Sequence, residues 1–427
     1  MNIVLFVTIL VLNVTFAALM KKSFNITKPS WLFWLYWISN ILVAFCFFGL
    51  SINWKLEGLA LLLIYVDIYV FAYLFIPIHS TEKYDAAQLI AKTRTINYLL
   101  IICFVAGIIY AILELVLNGF SIRNLFSISG LTEAGYYFTD GRYGGRTEIK
   151  TSTFEQICLT INYSGFILAG YGYRLRLSKK QLCFIQFIPM IASTLATTAK
   201  TTVISGIFLW ICGYLVACNC RNSAVEDIKR LSKKKVVLIS AGLLVIFYIS
   251  FVVRYGVGTS ENIVGRMIMY GLGHVPCYDD WYSQFRTNLF GYSHGQQTFM
   301  LLFGDSMPGS LANVYISPRF FTKYSWTNVI TLFAYTLMDF GYIGSAVFFA
   351  IFGAISKLGI VSLRNKGSAI GHGLTGLVYY IIIYSFLVSP LRYLSITGSF
   401  ALFGLYIFAL QRIYLRKSKK TKIQVSI

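Results

Sequence analysis

The sequence predicts an all-α, polytopic integral membrane protein, and three observations carry that prediction. Of the 427 residues, 57% are hydrophobic and only 12% are charged, about half the charged share of a soluble domain. The apolar residues fall in runs of about twenty, the length a helix needs to cross a bilayer. The 37 Lys+Arg residues sit in short clusters between those runs. A nucleic-acid-binding protein would gather them on one polar surface, so no nucleic-acid partner is expected. A cytosolic enzyme is excluded as well, because one or two cores cannot hide this much apolar surface.

The apolar runs lie near 2–19, 31–50, 57–78, 96–117, 154–173, 182–198, 203–219, 236–253, 328–362, 373–389 and 398–413, which gives about eleven helices. The first run has no basic stretch before it and Lys21 and Lys22 after it, the reverse of a cleavable signal peptide. It is therefore expected to be an uncleaved anchor, with the N-terminus outside and the C-terminus cytoplasmic. In that orientation the inner segments collect Lys83, Lys92 and Arg94, then Arg174 to Lys180, the cluster from Arg221 to Lys235, Lys357 to Lys366, and the tail from Arg412 to Lys422. With Lys21, Lys22 and Lys28 these are about two thirds of the basic residues, as the positive-inside rule requires. Most of the net charge of +21 is thereby explained by insertion and by contact with anionic lipid. Six of the eight cysteines, Cys46, Cys103, Cys158, Cys183, Cys212 and Cys218, fall inside apolar runs as small core residues, so no disulfide is expected.

The chain reads as a single membrane domain over 1–427, with one extracytoplasmic loop at 118–153 and a larger one, carrying short helices, at 254–326. No inner loop has the ~30 residues that a P-loop or Rossmann-like unit needs, so no nucleotide and no other cofactor is expected. Function is expected in the outer loops. The first contains Tyr136-Tyr137-Phe138-Thr139-Asp140-Gly141-Arg142-Tyr143-Gly144-Gly145-Arg146. Guanidinium groups grip phosphate oxygens in pairs, and glycine lets backbone approach a bulky anion. The same segment also fits an interfacial loop whose tyrosines lie at headgroup level.

In the larger loop, Arg266, Tyr270 and His274 recur at steps of four and would share one helical face, although Gly271 and Gly273 weaken the helix there. Cys277-Tyr278-Asp279-Asp280-Trp281-Tyr282 follows, then Arg286, His294 and Arg319, while Arg254 opens the loop. A carboxylate or imidazole can take a proton from an attacking hydroxyl while arginines neutralise a departing phosphate. The bland alternatives are a solvated acidic turn and hydrogen-bonded interfacial histidines. A metal site from His274, Asp279 and His294 matches no ligand spacing, and none is expected. Asp67 lies mid-way along the third run, Glu114 at the outer end of the fourth, and Asp339 before Gly341 in a run too long for one perpendicular helix. Charge at membrane depth is costly, so Asp67 and Asp339 need a partner or a watery cavity; Asp339 is expected to cap the second half of a helix broken at Gly341. Lys200 tops a tight outer hairpin, where it either snorkels to headgroups or points into an outer cavity.

The elements Thr327-Asn328-Val329-Ile330-Thr331 and Leu337-Met338-Asp339-Phe340-Gly341-Tyr342-Ile343-Gly344, with Gly291-Tyr292-Ser293-His294-Gly295-Gln296-Gln297-Thr298 ahead of Pro308-Gly309, the hairpin at Lys200 and the overall layout, carry a resemblance. The chain resembles the bacterial oligosaccharide repeat-unit polymerases, the Wzy-type O-antigen and capsule polymerases, over most of its length. It departs from them at the hairpin, where such proteins often carry arginine; lysine cannot make a forked phosphate contact. The resemblance implies a GT-C-like membrane glycosyltransferase of the bacterial cytoplasmic (inner) membrane, using undecaprenyl-diphosphate-linked glycan as donor and as acceptor. It further implies a flippase and a chain-length regulator as partners. On this reading His274 or Asp279 is the catalytic base, and Arg146, Arg254, Arg266 and Arg319 hold the diphosphate. Tyr143, Tyr278 and Trp281 stack on sugars, while Arg142, Lys200, Tyr270, Asp280, Arg286 and His294 complete the substrate site. The rival readings are a lipid-linked glycan flippase or ion-coupled transporter built on Asp67 and Asp339, and a glycan ligase.

Overall fold

A computed structural model describes residues 2–19, 25, 27–77, 93–143, 148–220, 248, 260–286, 293–303, 319–322, 325–327 and 329–425. In chain order the helices are α1 Asn2–Leu19, α2 Pro29–Phe48, α3 Glu57–Phe75, α4 Thr93–Val116, α5 Ile128–Tyr143, α6 Thr153–Leu175, α7 Lys180–Ile185, α8 Phe187–Thr197, α9 Lys200–Cys218, α10 Ser260–Leu272, α11 His274–Phe285, α12 Met300–Phe303, α13 Leu332–Lys366, α14 Ala369–Tyr384 and α15 Leu394–Val425. A short antiparallel pair, β1 Arg319–Thr322 and β2 Ser325–Thr327, precedes α13.

Six stretches, Pro29–Phe48, Glu57–Phe75, Arg94–Val116, Thr201–Cys218, Leu332–Asn365 and Leu394–Arg412, are long and apolar enough to cross a membrane. This is the architecture of a multi-pass helical membrane protein. The apolar run at 236–253, like Arg146, Arg254 and the basic segments at 83–92 and 221–235, lies outside the described residues. No disulfide joins any of the eight cysteines, all of which are among the described residues.

The chain divides into two compact units. The first comprises Met1–His79, Val264–Val361 and Val378–Leu394; the second comprises Ser80–Ile263, Ser362–Leu377 and Ser395–Ile427. In the first unit α3 packs on α1, α2 and α11. Its core is aromatic: Phe333 lies 5.0 Å from Trp37 and 4.9 Å from Phe349, and Tyr65 stacks on Phe349 at 5.4 Å. Offset and edge contacts of this kind add to the area that the rings bury.

The long run at 328–362 is one helix only in outline. Gly341 interrupts α13 with φ 62° and ψ −166°, a conformation essentially reserved for glycine. The break falls where the sequence places it. The run at 182–198 divides as well. Gln186, buried between α7 and α8, donates to the carbonyl of Leu100 at 2.7 Å.

In the second unit α6 packs on α4 and α9. The crossing of α6 with α9 depends on two glycines. A Cβ on Gly170 would stand 1.9 Å from the carbonyl oxygen of Trp210, and one on Gly213 would stand 2.0 Å from that of Ile167. Small residues let helix backbones approach closely where lipid supplies no hydrophobic drive between them. The start of α6 carries a full capping box, Ser152 and Glu155 each accepting the other's backbone N–H.

Candidate functional site

The first turn of α3 lacks a capping side chain of its own: Leu56, at its N-cap, has φ 67°. Asp279 of α11 supplies the acceptor instead. Its Oδ2 receives the N–H of Lys55 at 2.7 Å and that of Leu56 at 2.9 Å, satisfying donors that a helix start leaves open and placing a carboxylate at the positive end of the dipole. Gly58 makes room, since a Cβ there would lie 3.2 Å from Asp279 Cα. Arg286, one residue past α11, pairs with Glu57 in the same turn. Burial pushes the Asp279 carboxyl up from its ordinary range, against the backbone donors that hold it down. Oδ1 has no hydrogen-bond partner among the described residues.

His274 is completely buried, with the Trp37 ring at 5.8 Å and the Phe386 ring at 5.1 Å. Neither ring nitrogen has a hydrogen-bond partner among the described residues. Burial lowers its pKa to about 3, so the imidazole is neutral at neutral pH. Tyr278 and Trp281 are equally buried, 6.0 Å apart; in this arrangement neither presents a face to a sugar. Asp280 is half-buried and accepts from Gln284 Nε2 at 2.8 Å. The hydroxyls of Tyr282 and Tyr342 lie 3.1 Å apart, and Tyr342 also donates to the carbonyl of Arg286 at 3.3 Å.

The expected strip of Arg266, Tyr270 and His274 does not form one exposed face. α10 ends at Leu272, and past Gly273 the chain turns inward, leaving Tyr270 exposed and His274 buried. A Cβ at Gly273 would meet the Met269 carbonyl oxygen at 2.4 Å, so the close turn needs glycine.

A second carboxylate organises the next segment. Asp339 is buried; its Oδ1 accepts from Ser293 Oγ at 2.6 Å and from the N–H of Gln297 at 3.0 Å, and its Oδ2 accepts from the N–H of Thr298 at 2.5 Å. The sequence suggested a cap on the second half of α13. The carboxylate instead caps a turn about forty residues earlier, because that turn presents open backbone donors. His294 is exposed in this turn with φ 45°, followed by Gly295 with φ 94°. Ser389 Oγ donates to the Thr298 carbonyl at 2.7 Å. Arg392, in the 3-10 turn Pro390–Arg392 ahead of α15, directs Nε and Nη2 at Met300 Sδ, at 3.2 and 3.0 Å, and lies 5.1 Å from the centre of the Tyr335 ring. At mid-depth in α3, Asp67 Oδ2 accepts from Asn13 Nδ2 at 3.0 Å, and Asn13 Oδ1 accepts from Trp34 Nε1 at 2.8 Å.

In the second unit α8 and α9 form the tight hairpin expected around Lys200, which opens α9; Thr198 takes φ 57° at the turn. The hydroxyls of Thr139 and Thr198 meet at 3.1 Å. The last turn of α5, where Arg142 lies, thereby comes to the hairpin. Beneath it, Ser193 Oγ donates to Glu114 at 2.5 Å. Arg266 lies within α10 and Arg319 opens β1.

Sequence reasoning missed Arg392 and Ser389. The signal is an arginine in the short Ser389-Pro390-Leu391-Arg392 turn between the last two apolar runs, a connection too short to stand out beside the long loops. Among the described residues no group of three or more His, Cys, Asp or Glu is placed to hold a metal ion. Comparison with protein-family models, with curated proteins and with solved structures finds no match for this chain.

Proposed function

We propose that this protein is a GT-C-like membrane glycosyltransferase that polymerises undecaprenyl-diphosphate-linked oligosaccharide repeat units on the outer face of the bacterial cytoplasmic membrane. One observation carries the reading. Asp339-Phe340-Gly341, among the elements that chiefly carry the polymerase resemblance, is joined to Ser293–Thr298, part of a segment of further likeness, by three hydrogen bonds to one buried carboxylate. A shared site gives a physical reason for both to occur in one chain. In this scheme an acceptor hydroxyl attacks the anomeric carbon of the donor glycan, and undecaprenyl diphosphate leaves. Arginines of the outer segments stabilise the charge that develops on the diphosphate. Burial directs the choice of base away from His274 and Asp279 and toward Asp280 or His294 in the same unit, which are not fully buried.

The transporter reading has one observation in its favour: a mid-span carboxylate, Asp67, together with a broken helix at Gly341. A deletion strain separates the readings by the length of its surface polysaccharide. Loss of a polymerase leaves single repeat units attached. Absence of all repeat units identifies a flippase, and unattached polymer on its lipid identifies a ligase; either result overturns the proposal.

A further inference from the structure

In the first unit Arg392 is a cation held in place with no anion beside it among the described residues. Its turn is tied down by the Ser389 hydroxyl on the Thr298 carbonyl, at 2.7 Å. Its guanidinium lies 5.1 Å from the Tyr335 ring centre, with two donors on the Met300 thioether. A thioether is a weak acceptor and an aromatic face offers a quadrupole, so neither neutralises a full charge. The carboxylate of the same network, Asp339, is committed elsewhere, to Ser293, Gln297 and Thr298. Among the described residues Arg392 has no carboxylate within ion-pair distance. It is half-buried, so it retains access from outside.

A guanidinium fixed by packing at a definite angle, with no carboxylate to meet its charge among the described residues, is preorganised for an external anion with paired oxygens. We infer that Arg392 is a phosphate-binding residue, taking oxygens of a membrane lipid phosphate at the end of the unit where the turn at 293–300, the start of α13 and the 3-10 turn Pro390–Arg392 converge. The inference deepens the polymerase reading, in which the phosphate is the donor's diphosphate. Its chemistry also fits the phosphate of an anionic phospholipid. Met300 and Tyr335 would act as positioning residues, holding the plane of the guanidinium rather than touching the ligand.

The test uses the full-length protein in phosphatidylcholine nanodiscs. Binding of radiolabelled undecaprenyl diphosphate is measured for the wild type, Arg392→Gln, Arg392→Lys and Met300→Leu, each first checked for monodispersity and thermal midpoint. Loss of a charge-assisted forked contact weakens binding about tenfold or more in Arg392→Gln. Arg392→Lys keeps the charge but not the fork and falls between. Met300→Leu frees the guanidinium to move and loses a smaller factor. Competition with phosphatidylglycerol identifies the source: displacement at equal concentration assigns a general lipid-phosphate site, and resistance to it assigns the isoprenyl diphosphate. Wild-type binding in a folded Arg392→Gln protein overturns the inference. Should Arg392→Gln not fold, wild-type binding by Arg392→Lys overturns the forked contact. A deletion strain with normal polymer would refute the polymerase reading while leaving the binding result standing, so the two failures are distinguishable.

Discussion

Replacing Asp339 by alanine tests the network at the centre of the first unit. The carboxylate accepts two backbone N–H groups and one hydroxyl, all buried. Charge-assisted hydrogen bonds contribute roughly 1.5–3 kcal/mol each, and their loss is not additive because the Ser293 hydroxyl can rotate to another acceptor. The amides of Gln297 and Thr298 cannot re-aim, and each stranded donor costs about 1–3 kcal/mol. The expected loss for Asp339→Ala is therefore about 3–5 kcal/mol, as for other buried charged networks broken from one side. Asp339→Asn keeps one carbonyl oxygen but turns an N–H₂ toward a backbone donor, for a loss of about 1–3 kcal/mol. In a fluorescence-detected melt in detergent, a destabilisation of about 3–5 kcal/mol lowers the apparent midpoint on the order of 10 °C. Hydrogen exchange gives the local readout: the amides of 297 and 298 lose protection in both variants before the helices around them do. An alanine variant that melts within about 1 °C of wild type, with those amides still protected, would show that the carboxylate does not hold this turn.

Two further substitutions follow from the same geometry. His274→Phe removes two buried nitrogens with no partner and is expected to change stability at neutral pH by less than about 1.5 kcal/mol. With its pKa lowered to about 3 from an unfolded value near 6.5, His274 adds stability that is complete above pH ~6.5 and is lost as pH falls toward about 3. Melts between pH 7.5 and 4.5 should therefore fall less steeply for the phenylalanine variant. An equal slope, or abolished polymer at normal expression, would assign the imidazole a working role outside its buried position. Gly341→Ala forces a side chain into φ 62°, ψ −166°, at a cost of about 1–3 kcal/mol; a melt unchanged from wild type would mean that the break relaxes freely.

Much of the fold was legible because lipid imposes a simple rule on length: apolar runs of about twenty residues became helices at 29–48, 57–75, 93–116 and 200–218. The break in α13 was legible from chain length and glycine together. The division at Gln186 was not, since the sequence shows only one polar residue in an apolar run, and what decides the matter is the Leu100 carbonyl that it reaches. The site was harder to read. Asp279 and His274 are residue types that do chemistry in polar surroundings, and the groups that surround them here, Leu56, Trp37 and Phe386, are supplied by segments remote in the sequence. Capping is usually local, so the sequence points Asp339 at its own helix, yet its donors lie 41 to 46 residues away.

The remote partners of these carboxylates have one physical cause, and it bears on function. Acidic residues are scarce in this chain, 16 against 37 basic ones. In a medium of low dielectric a carboxylate must find donors wherever they are. Asp67, Glu114, Glu155, Asp279 and Asp339 all accept hydrogen bonds from amide or hydroxyl donors, backbone or side chain. Each carboxylate held in this way is turned toward structure rather than toward a neighbouring cation. The excess of positive charge has then to be met from outside the protein. At the inner ends of the helices, as the sequence orients them, anionic lipid headgroups suffice. At the other end of the first unit the same imbalance leaves Arg392 facing a thioether and a ring. No carboxylate among the described residues pairs with it, and on the inference above a lipid phosphate supplies the missing anion.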